Sequence, residues 1–82
     1  MRIPHELRDE FPDHSFLIER LGRTNYEFER LAAAYDDVNR HIWRIESEDE
    51  ATADDVLEKL KKRRLLLKDD IAALIAKEHE GN

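Results

Sequence analysis

The chain has 82 residues, 41% of them charged and 40% hydrophobic, with two Gly, two Pro and no Cys. This length allows one domain with a small core, the missing cysteines exclude a disulfide framework or a thiolate metal site, and scarce Gly and Pro leave little turn chemistry for a many-stranded β fold. A net charge of −6 with neutral histidines opposes binding to nucleic-acid phosphates or anionic membrane surfaces.

The start, Met1-Arg2-Ile3-Pro4-His5-Glu6, enters an acidic stretch rather than an apolar signal segment. Residues 1–10 are polar enough to be expected to fray. Pro12 then suits the first turn of a short helix over about 12–21, because its missing N–H costs little there.

From Leu17 the apolar residues recur at alternating steps of four and three: Leu17, Leu21, Thr24, Phe28, Leu31, Tyr35, Val38, Ile42 and Ile45. All but Thr24 are apolar, which makes a heptad seam. Thr24 lies beside Gly22 and Asn25, and Thr24-Asn25-Tyr26-Glu27 reads as a capping box. The spacing therefore predicts a break there and a long helix over about 25–47. The competing reading is one unbroken helix carrying Gly22 at a cost of about 1 kcal/mol.

An acid-dense loop over about 48–52 follows, and Thr52 with Asp54 and Asp55 marks a second helix start. A second long helix is expected over about 53–78. Leu57, Leu60, Leu67, Ile71 and Leu74 keep the seam, Arg64 interrupts it, and Leu66 and Ala73 widen the apolar stripe. Gly81 marks the end, and the tail His79-Glu80-Gly81-Asn82 is expected to fray. The longest apolar run, Ile71 to Ala76, falls far short of the roughly 20 residues of a membrane span. The cytoplasm is the default compartment.

Two long amphipathic helices joined by a short loop imply an all-α chain, residues 1–82 forming one antiparallel, coiled-coil-like hairpin with an additional short N-terminal helix. Facing residues should have numbers summing to roughly 100, which sets Arg30 near Asp69 and Asp70, and Asp36 and Asp37 near Arg63 and Arg64. A stripe holding Phe28, Leu31, Tyr35, Ile42, Trp43, Leu66, Leu67 and Ile71 is too wide for two helices to cover. That width argues for a homo-oligomer or a protein partner, with assembly into a helical bundle. Phe28, Tyr35, Leu67 and Ile71 on the seam, with Trp43 and Leu66 at its flanks, are the interaction candidates.

In the second long helix, Leu60-Lys61-Lys62-Arg63-Arg64-Leu65-Leu66-Leu67-Lys68-Asp69-Asp70-Ile71 resembles the signature of the YdcH-like proteins, small bacterial proteins of unknown function. Asp70 stands where that family usually has Glu. Phe28-Glu29-Arg30-Leu31, Tyr35, Val38, Ile42 and Arg44-Ile45-Glu46 are similar to its first-helix pattern, so the resemblance covers roughly Pro12 to Ala76. It implies a helical hairpin of bacterial, cytoplasmic origin and brings no reaction, catalytic residue, ligand or cofactor.

Charge is segregated along the chain. Residues 46–55 hold six acids and no cation, while residues 56–68 hold six cations and one acid. Lys61, Lys62, Arg63 and Arg64 could contact phosphates, the basis of an alternative reading as a nucleic-acid accessory protein. On a helix, however, these cations spread around the circumference, no stacking aromatics interleave with them, and they can snorkel beside the seam instead. His5, His14, His41 and His79 show no ligand spacing, so no metal site is expected. Asp36-Asp37, Asp54-Asp55 and Asp69-Asp70 are adjacent, about 100° apart on a helix, and make no acid–base pair. Ser15 and Ser47 lack a partnered base. The reading is a non-enzymatic interaction or self-assembly module, an adaptor or regulatory subunit. Peripheral membrane attachment through the short helix is disfavoured by Glu19 and the acidic N-terminus.

Overall fold

The computed structural model describes residues 5–47 and 54–80, and all of its regular structure is helical. Helix α1 spans His5–Glu10, a 3-10 turn Pro12–His14, α2 Ser15–Thr24, α3 Tyr26–Ser47 and α4 Asp54–Glu80. The expected loop at 48–52 and the cap at Thr52 lie outside the described residues. At 1.5 Å per residue a helix as long as α4 reaches about 40 Å, and the α3–α4 pair sets the longest dimension of a 47 × 21 × 19 Å molecule.

The break before α3 is real, and its chemistry differs from the expected capping box. Asn25 leaves the helical region, with φ −121° and ψ 110°. Its Oδ1 accepts the Phe28 N–H at 2.9 Å, an N-cap contact that satisfies one orphan amide of α3. Thr24 instead donates its hydroxyl back to the Arg20 carbonyl at 2.8 Å and closes α2. Gly22 lies buried inside α2 rather than at the break.

α3 and α4 pack antiparallel along the expected seam. Phe28, Ala32, Tyr35, Val38 and Ile42 of α3 and Leu67, Ile71 and Ile75 of α4 are buried in one cluster. Leu57, Leu60 and Leu74 are half-buried against it. Leu66 and Ala73 do not widen this stripe; both are exposed. The register lies about one turn from the expected one. Lys61 of α4 forms an ion pair with Glu46 of α3 across the hairpin at 3.2 Å, and Arg64 Nη1 donates to Asn39 Oδ1 at 3.2 Å. Asp36 pairs along its own helix with Arg40 at 3.1 Å rather than with Arg63 or Arg64, and no ion pair among the described residues joins Arg30 to Asp69 or Asp70.

The N-terminal segment corrects two expectations. Residues 5–10 are helical, with Leu7 fully buried, and α4 continues through His79 and Glu80. Leu7, Ile18 and Leu21 join the cluster formed by the hairpin, and Phe11 and Leu17 pack beside them. Arg8 pairs with Glu19, tying α1 to α2, and Lys68 of α4 pairs with Glu10 at 2.6 Å. The His14 and His79 rings meet edge to face with centroids 5.5 Å apart. The short helices thus form a third layer over the half of the hairpin that holds the start of α3 and the end of α4. The stripe judged too wide for one chain is covered there from within. Each fully buried Leu or Ile contributes roughly 1.5–3 kcal/mol and so offsets part of the cost of ordering this segment.

Candidate interaction surface

Beyond that layer, residues 39–47 of α3 and 54–66 of α4 form a bare two-helix half. Two helices bury only their mutual seam, so positions flanking it stay open. Trp43 is 67% exposed, Leu65 58% and Leu66 65%. Single exposed apolar residues are ordinary. What singles these out is the arrangement of two of them.

Trp43 lines a groove with Asn39, Glu46 and Arg64. Leu65 lines a second with the same Asn39 and Arg64 and with Lys61 and Lys68. A third groove shares Lys61 and Leu65 with the second and reaches Asp54, Leu57 and Glu58. These depressions run together along one side of the hairpin. Helical spacing explains it: Asn39, Trp43 and Glu46 are four and three residues apart, as are Lys61, Leu65 and Lys68, so each triplet shares one side of its helix. Glu10 and Tyr35 close the second groove at its far end. The side that the N-terminal layer covers therefore continues, uncovered by any described residue, towards Ser47 and Asp54.

Asn39 and Arg64 sit at the middle of this strip, where the apolar seam is interrupted. Arg64 holds the Asn39 carbonyl oxygen, which leaves Asn39 Nδ2 buried without an acceptor. An orphaned donor of this kind costs roughly 1–3 kcal/mol. At the covered end the Glu10 carboxylate, hydrogen-bonded to Lys68, raises the lysine pKa above its ordinary value against the opposing effect of burial.

Of the six expected interaction residues, Phe28, Tyr35, Leu67 and Ile71 are brought together in the core, where they hold the hairpin and its N-terminal layer closed. Trp43 and Leu66 stand in solvent, and Leu66, about 100° round α4 from Leu65, points away from the strip. Leu65 was missed, because its place along the same strip as Trp43 depends on register and helix rotation that a one-dimensional stripe does not carry. The four expected phosphate-contact residues do not form one patch. Lys61 is held by Glu46, Lys62 by Glu58 at 3.3 Å and Arg64 by Asn39, while Arg63 is exposed with no ion pair among the described residues. Among the described residues no group of three His, Asp or Glu could hold a metal ion. No helix there is long and apolar enough to cross a membrane.

No curated protein and no solved structure matches the chain. The family model described as protein of unknown function (DUF465) does match, over residues 28–75. These residues are the α3–α4 pair from Phe28 to Ile75, including both walls of the strip. With more than half of its length matched, and with the Leu60–Ile71 stretch forming one of those walls, the chain belongs to the DUF465 family, the YdcH-like small helical proteins of unknown function.

Proposed function

We propose that the protein is a non-enzymatic protein–protein interaction or self-assembly module, an adaptor or regulatory subunit of a bacterial cytoplasm, that completes a helical bundle by docking through its bare half. The carrying observation is the exposed Trp43 and Leu65 on one continuous side of the hairpin. Interface cores are rich in aromatic anchors within a polar rim, and Trp43 with Glu46 and Arg64 around it has that make-up. The nucleic-acid alternative is less well supported, because its four cations do not form one patch and the net charge is −6.

Replacing both anchors, Trp43→Ser with Leu65→Ser, tests this reading. Immobilised wild-type protein is expected to retain binding material from a lysate of its own cells, or further copies of itself, which the double variant fails to retain at unchanged helicity. Equal retention by both proteins would overturn the assignment of the surface.

A further inference from the structure

On the interaction reading, we propose that the occupant of the strip is a second copy of this chain, docked antiparallel about a twofold axis passing near Trp43 and Lys61. The first support is continuity. In the covered half, one side of the hairpin receives a helical layer from residues 5–24, whose Glu10 meets Lys68. The bare half presents the same side, and a two-helix layer from another copy would complete a bundle four helices deep.

The second support is charge. The α3 wall of the strip mixes both signs at Asp37, Arg40, Arg44 and Glu46. Along the α4 wall, acids come first, at Asp54 and Glu58, and cations follow at Lys61, Lys62, Arg64 and Lys68. A parallel pair would set acid on acid and base on base. A twofold axis at the level of Lys61 exchanges the ends, so that Asp54 and Glu58 of one copy come to the level of Lys68 and Arg64 of the other. Opposite signs then meet twice, beside the contacts that Lys68 makes with Glu10 and Arg64 with Asn39 on their own chain, and each pair recurs by symmetry as in any isologous interface. Trp43 lies close to the axis and meets its own symmetry mate, the central position at which aromatic anchors carry most binding energy. The α1 end at Glu10 limits how far the second copy can slide and so fixes the overlap.

The lack of native cysteine makes the test clean, since every introduced thiol reports only contacts between copies. Sedimentation equilibrium over a range of micromolar concentrations is expected to show a reversible dimer. Trp43→Arg should weaken it by about tenfold or more, with unchanged circular dichroism because the side chain is exposed. Trp43→Cys should link to itself under mild oxidation. Asp54→Cys should link to Lys68→Cys in a mixture more readily than either links to itself.

Preferential self-linking of Asp54→Cys would overturn the antiparallel arrangement. A monomer at every concentration would overturn the second copy as occupant, and the lysate comparison above would then decide the interaction reading separately. A dimer indifferent to Trp43→Arg would place the interface elsewhere and overturn the inference.

Discussion

The two halves of the hairpin use one seam and arrive at different solutions. Near the start of α3, the face flanking the seam is sealed by α1, the 3-10 turn and α2, and Leu7, Ile18, Phe28 and Ile71 are fully buried. Near the end of α3, the equivalent flank carries Trp43 and Leu65 into solvent. The polar pair Asn39–Arg64 falls between the halves. The comparison teaches that coverage, rather than apolar content, separates a sealed half from an open one. Both halves present large side chains, and only one has a third layer to receive them.

The sharpest way to break this division is to truncate matching residues on each side of it. Ile71→Ala is expected to cost about 2–5 kcal/mol in urea unfolding, whereas Leu65→Ala should stay within about 0.5 kcal/mol under conditions where the chain is monomeric. Comparable losses would mean that the bare half is packed as tightly as the covered one.

Leu7→Ala tests the covering layer itself. A loss of about 2 kcal/mol is expected, with faster amide hydrogen exchange in α1, α2 and the start of α3 and little change around Trp43. Uniformly faster exchange along α3 would show that the halves unfold as one unit.

At the boundary, Asn39→Leu removes the orphaned Nδ2 donor and extends the seam. The outcome should be neutral or stabilising by up to about 1 kcal/mol, since the half-buried Arg64 can turn to water. A large loss in thermal unfolding would show that the polar pair holds the hairpin together.

The smallest effect concerns Lys68, the cation that ties α4 to α1. Its folded pKa is raised above 10.5 by the hydrogen bond to Glu10. The contact therefore stabilises fully below the unfolded value and is lost as pH rises through the folded one. The stability difference between wild type and Lys68→Met should be constant from pH 7 to pH 10.5, where Glu10 is ionised and Lys68 charged, and shrink above it. A difference that grows with alkalinity would place the contribution elsewhere.

Much of the architecture was legible in one dimension. The four-and-three spacing from Phe28 to Ile45, and Leu57, Leu60, Leu67 and Ile71 in the second helix, fixes two amphipathic helices and their facing stripes, because period and side-chain direction are local properties. The break near Thr24 was legible as well, although Asn25 supplies the cap: both residues can accept the amide, and only the backbone path chooses between them. The role of Leu7 was not legible. A lone apolar residue in an acidic stretch has no period to announce it, and its burial depends on helices that arrive from later in the chain. Leu65 was hidden for a related reason, since adjacent Leu65, Leu66 and Leu67 look alike in sequence while pointing about 100° apart.

The sequence by itself therefore determined the helices, the seam, the absence of thiol chemistry and the segregation of acid from base, all set by residue type and local spacing. The tertiary structure decided which apolar residues become core and which remain available, because that outcome depends on whether another layer reaches them. High charge in a short chain had suggested a core that needs outside help. The folded chain supplies that help at one end, through Leu7, Ile18 and Leu21, and leaves the Trp43 side open at the other.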